Sequence, residues 1–289
     1  MSARLDLARV VVGEMLFRDR LVRNPEPDLV MTSPNSIRAY THAGQADGAL
    51  APAHLYHAAQ ICTVVGPGDV VLDLGCGPGA LLCSVAALIP SARFVGVDLS
   101  TGMLREAARA LGQAGIGNAE LRRGDITALG FLPDNSVDAV VSSMSLHHLP
   151  DAGALERSFA EMGRVLRPAG GVYLADFGRL RRPGSIEYFV TRSGGPPALR
   201  KDYARSLRAA FSKEELASAA RRHLGSRVHP FATAISPLVV VLRTLAWRAA
   251  SRERAALRER VTRLPPTRRT DLRELAWFLR LGGLRDALA

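Results

Sequence analysis

From residue 69 onward the chain alternates short apolar, β-branched runs with helical patterns, and this alternation constrains the fold more than any other feature. The runs are Val70–Leu74, Phe94–Val97, Val137–Val141 and Gly171–Ala175, with a weaker one at Ala119–Arg122. Between them lie Ala80–Ile89, Met103–Leu111 and Ala154–Leu166, where apolar residues recur at helical spacing. Strands separated by helices imply βαβ units, and hence a mostly parallel sheet covered on both faces. After Asp176 the alternation pauses for a loop-and-helix insert over 178–210. Ser212 and Glu215 then form a capping box, opening a helix that ends near Leu224-Gly225. Two more runs, Arg227–Phe231 and Leu238–Leu242, are close enough to pair as an antiparallel hairpin.

The flanks read differently. Leu5, Ala8, Val12, Met15 and Leu16 predict an amphipathic opening helix, which Pro25 and Pro27 must break. A loop around Pro34 and Asn35 follows, then a helix from about Ala53 to Val65, ended by Gly66-Pro67-Gly68. At the other end an Arg-rich helical tail is interrupted at Pro265-Pro266. Three regions result: a helical lid or substrate cap over 1–65, an α/β domain over 66–242, and a C-terminal extension over 243–289. The composition, 47% hydrophobic and 22% charged, excludes a disordered chain. Three cysteines are too few for a disulfide framework, and no apolar run reaches the roughly 20 residues of a membrane helix. The expectation is a soluble, cytoplasmic protein that does not contact membranes. Its net charge of +11 is uneven: the 47 residues from Arg243 hold twelve arginines against five acids, a net of +7 that leaves +4 elsewhere. Only Lys201 and Lys213 are lysines, so the charge is a bias towards arginine rather than a phosphate-binding signature.

The chemistry concentrates after the first strand. Val71-Leu72-Asp73-Leu74-Gly75-Cys76-Gly77-Pro78-Gly79 runs a buried strand into a Gly-rich turn and a helix. Residues without a Cβ let the chain bend and a ligand lie against it. Val95-Gly96-Val97-Asp98 places a carboxylate at the next strand end, where it can take both hydroxyls of a ribose. A dinucleotide site shares these parts, but its fingerprint is G-x-G-x-x-G, and here the glycines fall as G-x-G-x-G behind an Asp. Gly124-Asp125-Ile126 follows the third strand.

These motifs resemble the class I S-adenosylmethionine-dependent methyltransferases over roughly residues 50–242. Val71–Gly79 is similar to the family's first motif, and Val95–Ser100 with Met103 to its second. Gly124-Asp125-Ile126 resembles the adenine-binding turn, and Val137–Leu149, ending Leu146-His147-His148-Leu149, the fourth-strand motif. Val165–Gly171 resembles the link into strand five, with Ala169 departing from the usual Pro-Gly-Gly. The resemblance implies a Rossmann-like, seven-stranded, mostly parallel sheet, S-adenosylmethionine as cofactor and S-adenosylhomocysteine as product. It implies that Asp73, Gly75, Cys76, Gly77 and Gly79 face the methionine end, with Ser143 near its amine. Asp98 would hold the ribose, Leu99 and Met103 would pack on adenine, and Asp125 beside Ile126 would take the adenine amine.

His147 and His148 follow strand four, at the edge where such folds place substrate, so either is a candidate general base, with His148 favoured. The competing reading is a structural pair. Strand four ends Ser142-Ser143-Met144, without the Asn/Asp-Pro-Pro-Tyr of amine-methylating DNA enzymes, a Pro-Cys pair, or the acid of metal-dependent catechol enzymes. The expectation is metal-independent transfer to an O or N of a small molecule, with S or C behind, in specialised metabolism. Candidate substrate residues are Tyr40, His42, His57, Tyr188, Arg192 and Tyr203, drawn from the lid and the insert. Alternatives are an RNA methyltransferase using the basic tail, a peptide- or carrier-directed enzyme, and a protein that binds the cofactor without turnover. Nucleic acid is disfavoured because acids intersperse the tail's arginines on a helical pattern. The N- or C-terminal helices could pair two copies.

Overall fold

The structure is a computed structural model in which residues 10, 12–16, 20–193, 195–245 and 250–289 are described. One sheet contains β1 (Val70–Leu74), β2 (Arg93–Asp98), β3 (Ala119–Arg123), β4 (Val137–Ser143), β5 (Leu166–Phe177), β6 (Val228–Ala232) and β7 (Val239–Thr244). Their order is β3-β2-β1-β4-β5-β7-β6. The first five pair in parallel, and β7 enters antiparallel between β5 and β6. This is the seven-stranded, mostly parallel architecture that the alternating pattern predicts. Strand five starts earlier than its β-branched run, because Leu166 pairs with Val137 ahead of a bulge.

The helices are α1 (Pro34–Ala43), α2 (Ala51–Ile61), α3 (Ala80–Leu88), α4 (Thr101–Gln113), α5 (Ala152–Val165), α6 (Pro183–Arg192), α7 (Pro197–Ala209), α8 (Lys213–Leu224), α9 (Ser251–Arg263) and α10 (Pro266–Leu281). Alternate residues of each strand feed two apolar layers. Leu72, Leu74, Val140 and Val172 pack under α5 and α8, where the Ser212–Glu215 capping box forms. Val71, Val141, Tyr173 and Val241 meet α2, α3, α9 and α10 on the other face. A helix occupies Pro34–Ala43, where the sequence reads as a loop. Ser33 caps it, and Pro34 at the first helical position has a φ already suited to a helix and no N–H to satisfy. The proline starts that helix rather than breaking it. Of the expected opening helix, Val12–Leu16 is helical, and the remainder lies largely outside the described residues.

The tail folds back onto the sheet. Leu257, Leu264, Leu272 and Leu279 are buried in the same layer as Tyr56 and Ile61 of α2. Many of its arginines are used within the chain: Arg254 and Arg258 donate to the carbonyls of Ala289 and Leu288, Arg260 to Ser84, and Arg263 to Glu259. Arg243 on β7 is fully buried and donates to Gln60 Oε1 and Thr63 Oγ1 at 2.5 and 2.9 Å, tying β7 to the α2 segment. Among the described residues no helix is long and apolar enough to cross a membrane.

If the tail completes the core, Leu279→Ala should cost about 2–5 kcal/mol of unfolding free energy. Exposed Leu245→Ala should stay within about 0.5 kcal/mol of the parent. Urea unfolding reads both, and a Leu279→Ala midpoint equal to the parent's would show the tail lying outside the cooperative unit.

Candidate active site

Parallel strands finish at a common edge, so β1, β2, β4 and β5 deliver their last residues to one rim. A cavity of about 580 Å³ opens there. Its walls come from the strand ends, the 26–31 loop, α1, α2, α6, α7 and the start of α10.

One half is carboxylate-rich. Asp73 ends β1 among buried groups, and its carboxyl is pushed up to about 7, by burial first and then by Asp98. Asp98 ends β2, accepting from the Gly77 and Ser100 amides at 2.9 and 2.8 Å, while burial raises its pKa. Among the described residues neither carboxylate has a cation within ion-pair distance. Gly75 turns left-handed (φ 69°) against Ser145, and a Cβ there would stand 1.9 Å from the serine hydroxyl. Gly77 is also left-handed, but its side faces open space. The turn thus presents bare backbone to the cavity. Ser100 caps α4 and donates to the Met31 carbonyl at 2.9 Å, tying the N-terminal loop over this half. Cys76, Leu99, Met103, Ile126, Ser143 and Asp125 complete the lining. Asp125 Oδ1 accepts from Thr127.

The other half is built on two imidazoles. After β4, Met144 adopts a left-handed backbone (φ 54°), an unusual conformation for this residue, and the chain folds into a 3₁₀ turn over Leu146–His148. His147 is buried, its Nδ1 2.6 Å from Asp176 Oδ1 and its amide 3.1 Å from Oδ2. Burial alone would raise the Asp176 carboxyl, but the neighbouring His147 and the hydrogen bonds it accepts hold it below the ordinary carboxylate range. An ionised Asp176 fixes the proton on Nδ1 and presents Nε2 towards the cavity. His148 stacks beside it, ring centroids 4.2 Å apart, with its side chain 32% exposed. Burial, with His147 next, pushes the His148 imidazole down to about 3, keeping it neutral.

Glu26 completes this cluster, its Oε1 3.8 Å from His147 Nε2 and 3.6 Å from His148 Nδ1. Its loop is pinned by Arg23, which donates to the carbonyls of Ala209, Pro150, His147 and Leu149 and lies 3.9 Å over the Phe211 ring. Ser206 of α7 donates to Glu26 Oε1 at 2.8 Å.

Of the candidate substrate residues, Tyr40, His57, Arg192 and Tyr203 line the cavity. Tyr40 is half-buried and its hydroxyl is pushed up to about 12, by desolvation first and then by Asp176 and Asp98. His57 bonds the Tyr173 hydroxyl through Nδ1 at 2.7 Å, and burial drives its pKa down to about 3. Arg192 is already paired with Glu274 of α10 at 2.6 Å. Three candidates do not reach the cavity. His42 is exposed on α1, two residues beyond Tyr40 and so turned to the opposite side of the helix. Tyr188 packs edge-on against Phe189, which lines the cavity instead. Gly79 caps α3 and faces Ala107, 3.0 Å from where a Cβ would stand, so it serves helix packing.

Sequence reasoning missed Asp176, Glu26 and Ser145. Asp176 had a signal: Tyr173-Leu174-Ala175-Asp176 repeats the pattern of an apolar strand ending in Asp that singled out Asp73 and Asp98. Glu26 had none, lying between two prolines far from the motifs.

Comparison with known proteins agrees with this layout. Residues 71–170 match the family described as Methyltransferase domain. The nocamycin O-methyltransferase of Saccharothrix syringae is 38% identical over 109 residues, 37% of this chain and 38% of the relative. The demethylmenaquinone methyltransferase of Symbiobacterium thermophilum is 32% identical over 131 residues, 43% and 51% of the two chains. Aklanonic acid methyltransferase DauC of Streptomyces is 42% identical over 92 residues, 31% and 41%. The matched regions thus cover only about a third to a half of these relatives. A SAM-dependent methyltransferase from Aquifex aeolicus, 19% identical, superposes with a TM-score of 0.53 over 74% of this chain and all of that one, a likeness of fold. On the ordered motifs, the sheet and the family match over 71–170, the chain carries a class I S-adenosylmethionine-dependent methyltransferase domain.

Proposed function

We propose that this protein transfers a methyl group from S-adenosylmethionine to an oxygen or nitrogen of a small molecule held in the cavity. The observation that carries the reading is the joining, in one cavity of about 580 Å³, of the unpaired strand-end carboxylates with the His147–His148–Asp176 cluster.

The carboxylate half fits the cofactor. Bare backbone at Gly77 admits close approach, and Asp73 and Asp98 can meet an ammonium and a diol. When bound, S-adenosylmethionine supplies a methyl on a cationic sulfur that departs as a neutral thioether. The protein's residues do the rest. Asp73 and the 75–77 backbone hold the methionine end, with Ser143 near its amine. Asp98 takes the ribose hydroxyls, while Leu99, Met103, Ile126 and Asp125 bracket the adenine. Tyr40, between Asp98 and Asp176, closes the space between the two halves and excludes water. On the acceptor side, Phe177, Phe189, Tyr203, Leu238 and Leu275 offer apolar walls suited to a flat, weakly polar molecule. An acceptor hydroxyl beside His147 and His148 loses its proton at that cluster, and the freed lone pair forms the new bond to carbon. The nocamycin and aklanonic acid methyltransferases among its relatives support a natural-product acceptor, and the nocamycin O-methyltransferase favours oxygen. The packed tail, several of whose arginines donate within the chain, favours a small molecule over RNA.

Two outcomes test this. The Asp73 carboxyl sits at about 7 and must be ionised to pair with an ammonium, so affinity should be full above that pH. Below it, affinity for S-adenosylhomocysteine should fall roughly tenfold per unit. Calorimetry between roughly pH 5.5 and 8.5 reads this, with Asp73→Asn expected to bind weakly and without the slope. A flat profile in the parent would remove Asp73 from the site. Secondly, His147→Ala, His148→Ala and Asp176→Asn should each lower release of S-adenosylhomocysteine, over a panel of phenolic acceptors, by about 10²–10⁴-fold. Their S-adenosylhomocysteine affinity should stay near the parent's. Normal turnover in both histidine variants would refute their part in the reaction.

A further inference from the structure

Glu26, His147 and His148 converge in a way that hydrogen bonding does not explain. One ligand-capable atom from each lies within 4.8 Å of the others. The two imidazole nitrogens stand 3.8 and 3.6 Å from the same Glu26 oxygen, too far for hydrogen bonds. They therefore face a common point rather than each other. Neighbouring ligands on one ion, at bond lengths of about 2.0–2.2 Å, are separated by roughly 3–3.5 Å, so the two Glu26–imidazole separations exceed that spacing by only a few tenths of an ångström.

We infer that Glu26, His147 and His148 bind a single divalent first-row transition cation at the acceptor end of the cavity. The surroundings match what such a site needs. Asp176 takes the His147 Nδ1 proton at 2.6 Å, leaving the Nε2 lone pair free and the ring fixed, the carboxylate–imidazole support typical of metal ligands. The same Glu26 oxygen accepts from the Ser206 hydroxyl at 2.8 Å, and its loop is held by Arg23. Two imidazoles with one carboxylate select zinc- or iron-like ions over magnesium, which prefers oxygen alone. Three protein ligands leave positions open to an acceptor oxygen. Strand four ends without an acid, which makes the sequence read as metal-free. The fold supplies the carboxylates from elsewhere, Glu26 from the N-terminal loop and Asp176 from β5.

Binding of the ion stands independently of methyl transfer; its use rests on that reading. There it would hold the acceptor hydroxyl and stabilise its oxyanion, the proton passing to water, with the histidines acting as ligands rather than as bases.

The test uses the full chain, stripped by chelator and titrated calorimetrically with Zn²⁺, Mn²⁺ and Mg²⁺, with elemental analysis after gel filtration. One Zn²⁺ or Mn²⁺ per chain is expected, with Mg²⁺ at least tenfold weaker. Glu26→Gln and His148→Ala should each weaken Zn²⁺ binding tenfold or more, and Asp176→Asn by about 10–100-fold. His223→Ala, whose imidazole pairs with Glu156 on α5, should change nothing. S-adenosylhomocysteine binding by each variant confirms that it is folded, and Co²⁺ absorption gives a second reading of the ligand set. Absence of a stoichiometric site, or one indifferent to Glu26→Gln and His148→Ala, would overturn the inference. Turnover that survives chelation would remove the ion from the reaction and leave methyl transfer standing. A bound ion without turnover on any acceptor would do the reverse.

Discussion

Five parallel strands with a common polarity must all end at the same edge, and the rest of this structure follows from that constraint. The edge cannot be closed by another strand, because the last residues of β1, β2, β4 and β5 turn away into separate connections. What remains is a rim of strand-end side chains over which other parts of the chain must be laid. Asp73, Asp98 and Asp176 all lie near the ends of strands at that rim, and each is engaged differently. Among the described residues the first two have no cation within ion-pair distance, while the third is committed to His147.

The cover is assembled from segments distant in sequence and held by contacts that withstand burial. Arg23 ties the N-terminal loop to four backbone carbonyls, including two of the turn that carries the histidines. Carbonyls at helix and turn ends need donors when buried, and one guanidinium satisfies several at once. The same clamp sets Glu26 beside the imidazoles. On the far side the tail closes the sheet's second face and reaches the cavity mouth, where Glu274 of α10 pairs with Arg192 of the insert. The basic tail is thus a packing element, and several of its arginines serve the chain's own carbonyls and carboxylates.

Local pattern made the scaffold readable. Strand runs and helical spacing placed every strand within a few residues, since each depends on a period of side chains along one segment. The capping box at Ser212–Glu215 and the helix break at Pro265-Pro266 were equally local. Pro34 misled because a proline that opens a helix and one that ends it look alike without the flanking geometry. His42 and Tyr188 failed as cavity residues for a related reason: which side of a helix faces a cavity depends on how the helix is docked.

The carboxylate-rich half of the cavity was legible because its residues sit within short motifs, where Asp73, the glycine turn and Asp98 are fixed by strand and turn geometry alone. The acceptor half was not. His147 and His148 could be located by their place after strand four, but their chemistry depends on Asp176 and Glu26, which the chain brings in from β5 and from a loop before the first helix. Sequence by itself determined the sheet, its polarity and the glycine turn after β1, because each arises from neighbours along the chain. Only the tertiary structure decided what surrounds the imidazoles, because a cluster of charged and ligating groups forms through contacts between segments that no local period records.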